Sequence, residues 1–383
     1  MVLFLVITIV TWCLGLACSM HFLRLAYLAR KAKEQCASGT SLPPVSIVMT
    51  VHNQENNLRQ NLPALLSQDY PEPYEVIIVD MNSDDGTQKL LERMEQEYMH
   101  LHHTFCPDTA RDISLSRLAI TLGFRSACYD WVLMMTADAC PPSHHWLTGM
   151  ARHMTDEVDA VQGFVCYGHP HGWTGIKQHF FRLWQQSLWI PWCTHFAPYR
   201  ADESCLAYRK SLFMSHQGFA SNFSLRYGAT DLLVNHNVKP KRIGLALNPL
   251  VVLVQNQQSQ EQWEQLRMIY METRQHMHHS MLYRLWYVTR LHAGHLWLLP
   301  ALYLLLFWHP HIYIMYGLAG LWLLTIFATC VSWHIMTRRL HVASYAMLVP
   351  ILQALIPWWD FCAWIHWRLE SKKTFRKKFV ETN

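Results

Sequence analysis

What most constrains this chain is where charge is missing. No Asp, Glu, Lys or Arg occurs in residues 1–23, 291–337 or 340–359. The run over residues 2–20 is long enough to cross a bilayer as a helix, since about 20 apolar residues span its hydrocarbon core. A cleaved secretory signal would carry basic residues before its apolar stretch, and the first cation here is Arg24. An uncleaved anchor is therefore expected. Arg24, Arg30, Lys31 and Lys33 then place the following chain in the cytoplasm by the positive-inside rule.

Two further spans are expected at residues 296–308 and 312–333, turning at His309-Pro310-His311 and returning to Arg338 and Arg339. The last apolar run, residues 342–359, is interrupted by Pro350 and Pro357 and followed by a tail with Arg368, Lys372, Lys373, Arg376, Lys377 and Lys378. One crossing would leave those cations outside, against the same rule. A re-entrant or interfacial element would keep them beside anionic headgroups, and that reading is preferred to a third crossing.

Composition agrees with this division. The chain is 51% hydrophobic and 15% charged, and its net charge of +5 lies mostly beside the apolar runs. A middle of about 250 residues can bury its own core. Disorder, a collagen-like fibre and a small disulfide scaffold are excluded. The middle has no basic face interleaved with stacking aromatics, so no nucleic-acid partner is expected. The 11 cysteines form no CxxC pair and the 24 histidines show no HExxH spacing. Reduced, buried thiols and structural or solvated histidines are expected.

In the middle, apolar β-rich runs alternate with helical patterns. Strands are expected at residues 45–51, 75–80, 101–105 and 131–135, with helices at 55–66, 88–98 and 113–127 between them. This order argues for an α/β fold with a doubly wound, mostly parallel sheet, whose ligands bind at the carboxyl ends of the strands. Neither GxGxxG, a P-loop nor a GxSxG elbow is present. The aromatic-rich residues 173–198 suit either an amphipathic helix in the membrane interface or a core helix.

The domain opens with Val45-Ser-Ile-Val-Met-Thr-Val-His-Asn-Gln-Glu55, then Ser67-Gln-Asp-Tyr-Pro71, then Glu75-Val-Ile-Ile-Val-Asp80-Met-Asn-Ser-Asp-Asp-Gly-Thr87. Together with Cys205-Leu-Ala-Tyr-Arg-Lys-Ser-Leu-Phe213 and Gly218-Phe219, these segments resemble family 2 glycosyltransferases over residues 42–280. The resemblance implies the nucleotide-sugar-binding GT-A fold, with an N-terminal transmembrane helix and C-terminal transmembrane or interfacial helices. It implies that Glu55 and Asp80 contact the donor's base and ribose, because carboxylates accept from N–H and hydroxyl groups. Asp84 and Asp85 would cap the following helix beside Gly86.

Where that family carries an Asp-x-Asp metal motif, this chain has Thr136-Ala137-Asp138-Ala139-Cys140. Asp138 is left as the single carboxylate for the nucleotide-sugar and for a divalent metal, Mg²⁺ or Mn²⁺. The catalytic base falls on Asp231 of Gly228-Ala-Thr-Asp231, with a carboxylate placed by the helix dipole as the alternative. The diphosphate and acceptor segment is met, in altered order, by residues 260–267, which offer Trp263 and Arg267.

The implied function is inverting transfer of a sugar from a nucleotide-diphosphate donor to a lipid-linked or growing saccharide. It would occur at the cytoplasmic face of the cell (inner) membrane, with membrane lipid and possible partner transferases as neighbours. With three motifs incomplete, a catalytically degenerate relative that scaffolds a partner transferase is the alternative. The expected divisions are an anchor (1–23), a basic collar and linker (24–44), the GT-A-like domain (45–280), a membrane hairpin plus re-entrant or third membrane segment (281–367) and a basic tail (368–383).

Overall fold

The computed structural model describes residues 2–35, 41–106, 114–168, 170–219, 228–296 and 312–369. Helices α1 (Val2–Ser19) and α2 (Phe22–Gln35) lead into β1 (Val45–Val51), α3 (Glu55–Leu66), β2 (Tyr74–Asp80), α4 (Thr87–Glu97), β3 (Leu101–Phe105), α5 (Leu115–Ser126) and β4 (Trp131–Met135). There follow β5 (Ala139–Cys140), α6 (Trp146–Ala151), β6 (Ala160–Gly163), β7 (Val165–Tyr167), α7 (Gly172–His195), β8 (Leu206–Arg209), α8 (Lys210–Ser215), α9 (Ala229–Asn237), β9 (Ile243–Ala246) and β10 (Leu253–Gln255). The chain closes with α10 (Gln260–Thr273), α11 (Ser280–Leu296), α12 (Ile312–Leu340) and α13 (Val349–Leu369).

Seven strands form the main sheet in the order β3-β2-β1-β4-β8-β6-β9, and a small sheet runs β5-β10-β7. β3, β2, β1 and β4 are parallel neighbours, while β8 runs antiparallel to both β4 and β6. The strands are apolar on both faces because both are covered. Ile47, Met49, Ile78 and Leu133 pack under α3 and α4 through Leu58, Leu62 and Leu91. Val48, Ile77, Val79 and Val132 face the other way, onto Phe124 of α5 and Phe180 and Trp184 of α7. The alternation follows from the two-residue repeat of a strand.

The second face settles the aromatic segment. Residues 183–193 of α7 are all buried, as a helix without a polar side must be. Phe180 packs on Trp333 of α12 at 5.0 Å between ring centroids, and α7 also meets α2 and α13. It is a core helix, and the interfacial reading is overturned. Trp173 and Phe196, at its two ends, are its exposed large aromatics.

Among the described residues, three helical stretches are long and apolar enough to cross a membrane: Val6–Ala32, Met315–Leu340 and Ala346–Leu369. They expose Leu14, Leu323, Phe327 and Trp358, a surface compatible with a membrane protein. The span expected at residues 296–308 lies almost wholly outside the described residues. Pro350 and Pro357 do not interrupt the last apolar run. Pro350 sits in the first turn of α13, where its missing N–H has no helical partner to lose, and the helix continues through Pro357 to Leu369.

Candidate active site

Order 2-1-4 in the main sheet reverses the direction of winding between β1 and β4, and crevices for ligands open at such a point. A cavity of about 1300 Å³ lies there. Thr50 and His52 from the end of β1, Asp138 beyond β4, Arg182 of α7, Asp202 and Glu203 before β8, and Asp231 of α9 all line it. α10 contributes Trp263 and Arg267, and α13 contributes Asp360.

Asp138 is placed by the small sheet, where Ala139 of β5 pairs with Gln255 of β10. The Gln255 amide then donates to both Asp138 carboxylate oxygens, at 3.0 and 2.8 Å. Arg182 donates through one nitrogen to the Gln255 carbonyl oxygen and through another to Asp202, at 2.5 Å. The result is a chain Asp202–Arg182–Gln255–Asp138 that orients the Asp138 carboxylate. Burial pushes the Asp202 carboxyl up, but the Arg182 charge and hydrogen bonds outweigh this and hold it below its usual range.

Asp231 is the third residue of α9, which begins at Gly228 with φ of 70°. A Cβ there would also lie 2.1 Å from Thr273 of α10, so glycine is required both for the left-handed turn and for the close approach. The Asp231 carboxylate does not cap its own helix. It accepts from the Ala201 N–H at 3.0 Å and pairs with Arg200 at 3.5 Å. Burial raises its pKa, with Arg200 opposing. Glu203, half-buried, is pushed up to about 7 by burial and by Asp202 and Asp231.

That shift carries a pH signature. The folded state keeps the Glu203 proton between its ordinary pKa of 4.5 and about 7, while the unfolded state releases it. Stability from this group is therefore complete below the lower value and lost as pH rises through the upper one. Glu203→Gln removes the loss. Its melting temperature should gain about 2–4 °C on the parent between pH 5 and pH 7.5, read by thermal denaturation at both values.

Of the residues expected from sequence, Asp138, Asp231, Trp263 and Arg267 share this cavity. Glu55 and Asp80 are not on it. Asp80 borders a separate cavity of about 400 Å³ with Asn82, Ser83 and His103, and it accepts from the Ser83 hydroxyl at 2.5 Å. Glu55 forms an ion pair with Arg59 at 2.6 Å and packs against Gly86. Asp85 accepts from the Thr87 N–H at 2.9 Å, as a capping carboxylate does, whereas the Asp84 N–H donates to the Asn53 side chain.

Arg267 lines the cavity but is not an isolated cation. Its guanidinium is bonded to Asp360 at 2.9 Å and lies over Trp263 and Phe181 at 4.7 and 4.9 Å. Its charge is thus already matched by the C-terminal helix. Arg182, Arg200, Asp202, Glu203 and Gln255 were missed. The signals available were a lone arginine inside an aromatic helix and the paired acids beside the Cys205 segment.

Among the described residues no three His, Cys, Asp or Glu side chains gather as a metal site. Asp138 presents one carboxylate to the cavity. Mg²⁺ is commonly held by one or two carboxylates together with water and substrate phosphates. The donor set therefore fits a divalent ion whose shell is completed by a diphosphate.

Comparison with known proteins agrees with this geometry. The profile described as Glycosyl transferase family 2 matches residues 46–220. The glycosyltransferase AglE of Haloferax volcanii is 30% identical over 142 residues, 37% of this chain and 45% of that protein, so the match spans under half of the relative. Among solved structures, mannosyltransferase PcManGT from Pyrobaculum calidifontis, in complex with GDP-Man and Mn²⁺, superposes with a TM-score of 0.51 at 18% identity. That match covers 91% of this chain and 99% of the other. S. aureus TarS 1–349 matches at a TM-score of 0.44 and 14% identity, over 88% and 92% of the two chains. The fold is GT-A-like, and residues 46–220 match the glycosyl transferase family 2 profile.

Proposed function

We propose that this protein moves a sugar from a nucleotide-diphosphate donor to a hydroxyl of a lipid-linked or growing saccharide, with inversion, at the cytoplasmic face of the cell membrane. The observation that carries the reading is the meeting of Asp138 and Asp231 in one cavity at the sheet's switch point. The GT-A-like fold and the bound GDP-Man and Mn²⁺ of PcManGT support a nucleotide-sugar donor.

In this reading the Asp231 carboxylate takes the proton of the acceptor hydroxyl. The freed oxygen forms its bond to the anomeric carbon while the bond from that carbon to the diphosphate oxygen breaks. The bonding pair leaves with the diphosphate, and a single displacement of this kind inverts the centre. Arg200 and the Ala201 N–H hold Asp231 toward the cavity. Gln255, fixed by Arg182, aims Asp138. A divalent metal held at Asp138 would offset the charge of the departing diphosphate.

Asp138→Ala should lower metal-dependent turnover of UDP- and GDP-sugars by about 10²–10³-fold, with residual activity needing more Mn²⁺. Full activity in this variant at unchanged Mn²⁺ demand would show that Asp138 has no such role. The lone carboxylate also favours a second reading, a donor-binding domain without transfer. Calorimetry with the same donors, with and without Mn²⁺, separates them: binding without product in every acceptor assay supports the second.

A further inference from the structure

Before β8 and at the start of α9, three carboxylates meet two guanidinium groups on the wall of the large cavity. Arg182 takes Asp202 and Arg200 takes Asp231, which leaves Glu203 over. Among the described residues its carboxyl accepts no hydrogen bond and joins no ion pair. The charges that act on it, those of Asp202 and Asp231, have its own sign. A carboxylate withdrawn from water without a counter-charge is costly, and Glu203 accordingly holds its proton up to about 7.

Two more groups on this cavity lack partners. Gln185, one turn beyond Arg182 on α7, is 8% exposed, and its carboxamide oxygen is buried without a hydrogen bond. Tyr283 of α11 is 1% exposed, and its hydroxyl is unpaired in the same way. Its ring is fixed by stacking on Tyr199 at 3.9 Å between centroids, and it lies within range of the Arg200 and Asp231 charges. Folded proteins leave few buried polar groups unsatisfied, yet three elements each bring one to this cavity.

Their chemistry narrows the ligand. A carboxylate and a carboxamide oxygen can only accept, and a phenol oxygen can accept as well. The ligand must therefore donate, and it must bring the positive charge that this part of the wall lacks. A sugar hydroxyl offers one donor and no charge. An ammonium group offers three donors, no acceptor and a full positive charge.

We infer that Glu203, Gln185 and Tyr283 form a subsite for the free ammonium group of an amino-sugar acceptor, beside the hydroxyl that meets Asp231. The inference rests on the transferase reading above and names its acceptor class. No bond is made or broken at this subsite; it selects and orients the acceptor ring.

The test uses the full chain in phosphatidylcholine nanodiscs at pH 7, with and without GDP or UDP. Glucosamine, glucose and N-acetylglucosamine, and the matching galactose series, are the probes in binding titrations. At least one amino sugar should bind about tenfold or more tighter than both its parent and its N-acetylated form, the worth of a hydrogen bond to a charged group. Glu203→Gln should bring that amino sugar down to the affinity of its parent. Glu203→Asp should keep part of the preference, which a folding defect would not allow, and thermal denaturation checks the fold of both variants. Equal binding of amino and parent sugars, no measurable amino-sugar binding, or a preference that survives Glu203→Gln overturns the subsite. Turnover of nucleotide-sugar that depends on Asp138 and Asp231 leaves the transferase reading standing in each of those cases. An amino-sugar preference lost in Glu203→Gln, in a protein that turns over no donor, keeps the subsite and removes the transferase reading instead.

Discussion

Asp231→Asn is expected to reduce glycosyl transfer by about 10²–10⁴-fold, the usual contribution of a positioned general base. The substitution keeps the side chain's shape and its acceptor toward the Ala201 N–H, at 3.0 Å in the parent, so folding and donor affinity should change little. It removes the negative charge that pairs with Arg200 and the ability to take a proton. Steady-state turnover with saturating donor, beside donor titration of the same variant, reads the two effects apart. Unchanged turnover would move the base elsewhere, and Glu203 on the same cavity is the next carboxylate to test. A fall in donor affinity equal to the fall in turnover would mean that Asp231 binds rather than reacts.

The second large effect concerns stability. Asp202→Ala leaves the Arg182 guanidinium, only 15% exposed, without its carboxylate. Removing one partner of a buried pair costs about 3–5 kcal/mol, and the residual exposure puts the expected loss near the lower figure. Chemical denaturation of the purified protein measures it. Arg182→Met with Asp202→Leu should recover most of that stability, because an apolar pair leaves no stranded charge. The double variant should nonetheless fail in Mn²⁺-dependent turnover, since Gln255 loses the arginine that orients it on Asp138. Supporting residues of this kind typically alter metal affinity by about 10–100-fold. If activity survives in the double variant, the relay from Asp202 to Asp138 is structural only.

The first half of the domain was legible because its information is local. β1, α3, β3 and β4 fall where strand and helix periods place them, and the parallel order of these strands follows from their alternation with helices. Asp138 and Asp231 could be singled out because each stands within a short motif at a strand or helix end. Their meeting in one cavity follows from the topology those motifs belong to.

Other features have no local signature. An apolar, aromatic helix such as α7 reads the same whether lipid or protein covers it, and only the packing of α2, α12 and α13 around it decides for protein. The Arg267 ion pair had no local signal because Asp360 is 93 positions away in the chain. The relay through Arg182 and Gln255 joins α7, the loop before β8 and β10 in the same way. The sequence by itself determined the fold class and singled out Asp138 and Asp231 as candidates. The tertiary structure decided which charges are matched and by what, because ion pairing depends on distance in space and not along the chain.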